Sequence, residues 1–271
     1  MPAQRRITFV VPTDGTDEVL NSNFLASPCL RPPHDHQFIV QKDYPSAAKA
    51  YNEAIDRAEN DLMVFAHQDM VFPEPWLAQL ERALAYLEET DPAWGVLGCY
   101  GVAHDGAGRG WTYHPTQGLI GGAFDCPKAV QTLDEIVLIF RRSSGLRFDE
   151  HLPHFHLYGT DICLRAAGMG MKNYVTAAFC VHNGTYYPLL PKEFYQNYRY
   201  IRRVWKDSLP IYTSCGAITK TGLPMFKRRL QEAYIQHIQR RAILTPRAND
   251  GAELLRQVAS ELPRIGDPIW S

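Results

Sequence analysis

The chain has 271 residues, 45% of them hydrophobic, which is enough apolar material for one large core. With 28 Lys/Arg against 29 Asp/Glu the net charge is −1, so no global basic excess exists to hold nucleic acid or another polyanion. Six scattered cysteines (Cys29, Cys99, Cys126, Cys163, Cys180, Cys215) include no Cys-x-x-Cys pair, which argues against a zinc knuckle or a disulfide framework and for reduced thiols in a cytoplasmic setting.

Arg5 and Arg6 precede a β-branched run over 7–12 that reads as the first strand. Pro12 stops this run too early for a signal segment or a membrane span, and no later stretch has the length of one, so a soluble chain is expected. A short helix over 18–25 and an irregular connection over 29–36 lead to a second strand over 37–43. Ala47, Ala50, Tyr51, Ala54, Ile55 and Ala58 recur at helical spacing and predict a helix over 46–58 with Ser46 as its N-cap. Residues 62–66, Leu-Met-Val-Phe-Ala, then suit a buried parallel strand with His67, Gln68 and Asp69 at its carboxyl end. Side chains two apart on a strand share a side, so His67 and Asp69 face one ion if the strand geometry persists. The plain alternative is a histidine closing a loop and an aspartate opening the next helix. Alternation of strand and helix predicts a doubly wound α/β sheet with ligands along the strand carboxyl ends, where Thr13 and Asp43 also fall. Neither Gly-x-Gly-x-x-Gly nor Gly-x-x-x-x-Gly-Lys occurs, against a dinucleotide or P-loop enzyme.

A helix over 76–88 follows Pro73 and Pro75, and a strand over 94–101 opens into a long glycine-rich loop over 102–122. Trp111, Tyr113 and His114 in that loop either contact sugar rings or pin the loop to the core. The run over 132–140 reads as one strand with Asp134 and Glu135 at its mouth. Asp161 opens a further helix, where the dipole favours a carboxylate, and a strand over 171–181 ends at His182. The remainder predicts a tyrosine-rich helix over 193–206, a loop over 208–224 and a basic helix over 225–243. Residues 199–247 hold eleven Lys/Arg against two acids, a solvated face or a surface for an anionic membrane, an acidic partner or an acceptor.

Ala50-Tyr51-Asn52-Glu53-Ala54-Ile55, the His67-Gln68-Asp69 stretch and the run from His154 to Ala166 together resemble family 2 glycosyltransferases, specifically their streptomycin-biosynthesis-related branch. The resemblance covers residues 5–187. It implies a GT-A-like, mostly parallel sheet flanked by helices, with a catalytic domain over 1–187 and a helical, basic extension over 188–271. It implies that Asp69 binds Mn²⁺ or Mg²⁺ bridging the diphosphate of a nucleotide-sugar donor and that His182 completes the metal site. His67 stands where many relatives have the first acid of an Asp-x-Asp motif. Thr13, Asp43, Lys49, Asn52 and Gln68 become the donor contacts, and Trp111, Tyr113, Asp134 and Glu135 the acceptor contacts. Asp161 becomes the general base of an inverting transfer to a hydroxyl of a carbohydrate, lipid-linked or small-molecule acceptor, while Gly159 stands where many relatives carry an acid. A non-catalytic binding or scaffold domain of the same fold is the alternative; a phosphoesterase would need more clustered ligands.

Overall fold

The computed structural model describes residues 5–13, 15, 17–185, 189–237, 248 and 250–261. β1 (Ile7–Thr13) pairs in parallel with β2 (Gln37–Lys42), and α1 (Asp17–Ser22) lies between them in sequence. The first strand runs on through Pro12, which lies beyond the last residue paired with the neighbour on the other side, a position where proline is tolerated. α2 (Ala47–Arg57) starts at Ser46, whose side chain accepts from the Lys49 N–H, and turns Ala47, Ala50, Tyr51, Ala54 and Ile55 inward. β3 (Leu62–Ala66) is buried at every position and pairs in parallel with β1. β4 (Met70–Val71) follows, and then α3 (Trp76–Thr90), which buries Trp76, Leu80, Leu84 and Leu87.

From here the chain repeatedly crosses between two sheets. β5 (Leu97–Gly98) continues into β6 (Tyr100–Val102), and β7 (Gly108–His114) and β8 (Gly118–Gly121) form a hairpin. β9 (Lys128–Val130) and β10 (Thr132–Leu133) precede β11 (Val137–Arg141); α4 (Tyr158–Gly168) leads to β12 (Asn173–Val175) and β13 (Cys180–His182). The central sheet is ordered β2-β1-β3-β11-β5-β12-β9 and the second β10-β6-β7-β13-β4, with β8 added to β7. The strands expected over 94–101, 131–140 and 171–181 are thus each divided between the sheets, at Cys99, at Asp134–Ile136 and at 176–179. β3 and β4 are divided in the same way by His67–Asp69. These hand-over points, not the strand ends alone, line up the polar residues discussed below.

The loop expected over 102–122 is the β7–β8 hairpin. Its glycines serve close approach: at Gly110 (φ 145°) a Cβ would collide with the Cys99 carbonyl, and at Gly121 with the Gly110 carbonyl. Several described residues beyond 188 share the main core. α5 (Lys192–Val204) contributes Phe194, Tyr198 and Ile201 to it. The hairpin of β14 (Ile211–Thr213) and β15 (Gly216–Ile218), where a loop was expected, is tied to β10's neighbour Gln131, which donates to the Pro210 carbonyl at 3.0 Å and accepts from the Tyr212 N–H at 2.8 Å. α6 (Leu223–His237) is the described part of the expected basic helix; the rest of that helix lies outside the described residues. α7 (Gly251–Glu261) closes a smaller core with Leu254, Leu255 and Val258 against Val71, Trp111, Phe179 and Val181. All six cysteines are free thiols, and among the described residues no helix is long and apolar enough to cross a membrane.

Candidate metal centre and adjoining cavity

Backbone pairing brings the polar residues together. The His67 N–H donates to the Ile136 carbonyl at 3.2 Å, and the chain turns through Gln68 and Asp69 into β4. β4 pairs with β13 so that Met70 stands opposite His182, and the Asn183 N–H donates to the Asp69 carbonyl at 2.9 Å. β13 runs parallel to β7, which ends at His114, so the His114 and His182 rings meet edge to face at 5.3 Å. One ligand atom from each of His67, Asp69 and His182 lies within 4.8 Å of the others.

The donor set fits a divalent ion. His182 Nε2 and Asp69 Oδ1 are 3.4 Å apart, close to the roughly 3 Å that separates neighbouring ligands held at about 2.1 Å around an octahedral ion. An imidazole must be neutral to ligate. Burial lowers the His67 pKa, with Asp69 opposing and His182 adding to the shift. Burial and His182 likewise push His114 down to about 4 against the pull of Asp69 and Asp134. The His67 ring is fixed by its Nε2, 2.8 Å from the Tyr158 hydroxyl, which in turn donates to the Glu135 carbonyl at 3.3 Å. With Tyr158 donating onward, His67 Nε2 would carry the proton, which would leave the Nδ1 lone pair available to a metal.

A cavity of about 450 Å³ opens beside this cluster, lined by Thr13, Asp43, Tyr44, Gln68, Phe155 and Tyr158 together with Pro12, His67 and Asp69. This is the size range of small-molecule sites. Gln68 Oε1 is buried there with no hydrogen-bond partner among the described residues. Of the non-glycine residues with left-handed backbone among those described, Asp43 (φ 62°) lines this cavity, and His154 (φ 62°) and Leu157 (φ 61°) each directly precede a residue that does, Phe155 and Tyr158. Such backbone costs on the order of 1–3 kcal/mol at each residue and clusters at functional sites.

Of the expected donor contacts, Thr13, Asp43 and Gln68 line the cavity. Lys49 and Asn52 do not. Lys49 is exposed on α2. Asn52 is a structural clamp, donating to the Phe148 carbonyl and to Glu150 at 3.0 Å each while accepting from the Phe148 N–H at 3.0 Å. Among the expected acceptor contacts, Trp111 is 5% exposed and packs on Phe179 at 5.0 Å, with Tyr113 half-buried beside the same small core. Of the two readings of these aromatics, pinning to the core is the one seen. Glu135 is also structural: its carboxylate accepts from the Leu157 and Gly159 N–H groups at the start of α4, and burial and Asp134 hold its pKa well up. Asp134 is half-buried, and its charge acts on both His67 and His114.

Asp161, the expected base, lies away from the cavity lining. It is 1% exposed, with one oxygen 2.6 Å from Arg165 Nε and the other 2.7 Å from Trp205 Nε1, and it does not line the cavity. Burial raises its pKa against the pull of Trp205 and Arg165. Arg165 is shared with Asp149 at 2.5 Å, so Asp161 anchors an ion-paired cluster that ties α4 to α5's end. Gly159 faces the other way: a Cβ there would stand 2.9 Å from the Leu133 carbonyl and 3.1 Å from Glu135 Cγ, so an acid does not fit without moving the β10–β11 link. Pro12, Tyr44, Phe155 and Tyr158 are the cavity residues the sequence reading missed, although the aromatic run before Asp161 contained two of them.

No family model matches the chain. Its structure is similar to that of GalNAc-T7 with UDP, GalNAc and Mn²⁺, at TM-score 0.50 and 12% identity over 89% of this chain and 57% of that one. The fold is GT-A-like. S. aureus TarS 1-349 is a further neighbour, at TM-score 0.47 and 14% identity over 73% of this chain and 64% of that one. In sequence, the chain is 27% identical over 139 residues to ATP synthase subunits region ORF 6 of Fuscovulum blasticum, 49% of this chain and 56% of that protein. The aligned part therefore spans little more than half of that relative.

Proposed function

We propose that this chain is a metal-dependent glycosyltransferase that moves a sugar, with inversion, from a nucleotide-diphosphate donor to a hydroxyl acceptor. The observation that carries the reading is the convergence of His67, Asp69 and His182 within 4.8 Å, with His67 and Asp69 on the wall of a cavity whose other lining includes Thr13, Asp43 and Gln68. Two imidazoles with one carboxylate suit Mn²⁺ better than Mg²⁺, which prefers oxygen donors and retains water. His67, Asp69 and His182 would hold the ion, whose positive charge would offset the negative charge of the departing diphosphate.

The protein's own groups do the rest. Asp43 and Thr13, at the ends of β2 and β1, take the nucleoside, and Gln68 offers its buried oxygen as an acceptor to a ligand hydroxyl or amide. Tyr158 holds His67 in the ligating tautomer. With Asp161 enclosed, we assign the acceptor hydroxyl's proton to Asp134, a half-buried acid of the β10–β11 link that is itself outside the cavity lining but near enough to His67 and His114 for its charge to act on both. The GT-A-like fold is compatible with this chemistry without specifying it.

The test is turnover of a panel of nucleotide sugars with Mn²⁺, comparing the parent with His182→Ala and Asp134→Asn. Nucleotide release that His182→Ala abolishes, and that Asp134→Asn slows without weakening donor binding, is expected. Release indifferent to His182 would refute the metal-dependent reading.

A further inference from the structure

α6 places Met225 in the main core, yet most of its large apolar side chains face outward. Its inward residues include Arg228 and Glu232, ion-paired at 3.0 Å, with Glu232 also accepting from the Tyr195 hydroxyl at 2.5 Å. Its outward residues Leu223, Phe226, Leu230 and Tyr234, spaced i, i+3, i+7 and i+11, are between 50% and 59% exposed. An apolar stripe with this spacing ordinarily faces a core.

Beside the stripe, Arg199, Arg202, Arg203, Lys206 and Lys220, with Asp207 as the one lining acid, surround a hollow of about 500 Å³. Arg199 and Arg202 also line the adjoining groove that contains Leu223 and Phe226, so cationic hollow and apolar stripe form one continuous face. Residues 189–237 hold nine Lys/Arg against three acids in a chain whose net charge is −1. The charge is therefore concentrated on the same elements as the exposed apolar side chains.

We propose that this face docks on an anionic lipid bilayer, with α6 lying in the interface plane, Phe226, Leu230 and Tyr234 entering the boundary between headgroups and acyl chains, and the cations meeting lipid phosphates. Both halves of the face select this occupant. A soluble polyanion would leave the stripe in water, and a second copy of the same face would oppose like charges. The inference stands apart from the transferase reading, because no donor or metal enters it.

The test is co-sedimentation of the full chain with phosphatidylcholine vesicles, with and without phosphatidylglycerol. Pelleting is expected only with phosphatidylglycerol and should weaken as salt shortens the screening length. Replacing Arg199, Arg203 and Lys206 by Glu should lower the partition coefficient on the order of a hundredfold, at roughly fivefold for each cation lost. Phe226→Ser with Leu230→Ser should lower it at least tenfold. All five side chains sit at exposed positions, so both variants should keep the parent's melting temperature and circular dichroism. Pelleting by neither vesicle, or equal pelleting of parent and variants, would overturn the proposal. So would a dimer in sedimentation velocity that Phe226→Ser dissociates, since a second copy would then cover the stripe.

Discussion

Replacing Asp161 by Asn separates an anchoring role from a catalytic one. The carboxylate is 1% exposed and makes two short bonds, to Arg165 Nε at 2.6 Å and Trp205 Nε1 at 2.7 Å. An asparagine oxygen still accepts from Trp205, so the loss falls on the charged bond to Arg165, of a kind worth about 1.5–3 kcal/mol. Arg165 is 33% exposed and keeps Asp149 at 2.5 Å, so it is not left without compensation. A cost of about 2 kcal/mol follows, which lowers the melting temperature by about 4–8 °C for a chain of this size. Differential scanning calorimetry measures the fall, and a Mn²⁺ titration with donor turnover at a temperature where the variant is folded measures the site. The account expects the thermal loss with Mn²⁺ affinity and turnover close to parental. An unchanged melting temperature with turnover down by about 10²–10⁴-fold, the ordinary contribution of a general base, would refute the reasoning.

Further outcomes follow from the same geometry. Trp111→Ala should cost about 3–5 kcal/mol in urea unfolding, because Trp111 is 5% exposed in the core closed by α7; a loss of sugar binding without a loss of stability would return it to the acceptor site. Tyr158→Phe removes the partner of His67 Nε2 and should weaken Mn²⁺ binding by roughly tenfold, the lower end of what outer-shell partners contribute; unchanged affinity would mean that Tyr158 does not orient the ring. His114 is 7% exposed and its pKa is pushed from 6.5 to about 4. Above pH 6.5 it is neutral folded or unfolded and its contribution is full. As pH falls from 6.5 towards 4 the unfolded chain takes up a proton that the folded chain resists, so stability declines, by up to about 3 kcal/mol. His114→Gln should flatten that part of the unfolding profile, and an unaltered slope would contradict the buried, neutral state.

The sequence carried the regular part of the fold because its pattern was redundant. β1, α2 with its Ser46 cap, and the fully buried β3 each combine periodicity with a boundary signal, and they reappear in place. The candidate metal cluster was legible for a related reason. His67, Asp69 and His182 lie at ends of apolar strands, and the β4–β13 pairing joins them. What stayed hidden was the division of strands between two sheets. Nothing local in 132–140 marks the break at Asp134–Ile136, which exists because Glu135 turns in to hold the first N–H groups of α4. The glycines of 108–121 suggested a loop, whereas they permit backbones to approach within a tight hairpin. Asp161 marks the limit of local reading, because a helix-opening acid has the same sequence appearance whether it faces a substrate or an arginine, and only neighbours such as Arg165 and Trp205 distinguish the two.

Isothermal titration of UDP, GDP and dTDP with and without Mn²⁺, into the parent and into Asp69→Ala, tests the central claim most directly. One of these nucleotides should bind the parent only with Mn²⁺, and Asp69→Ala should lose this binding while remaining folded. Nucleotide binding that ignores both Mn²⁺ and Asp69, or no nucleotide binding under any condition, would contradict it.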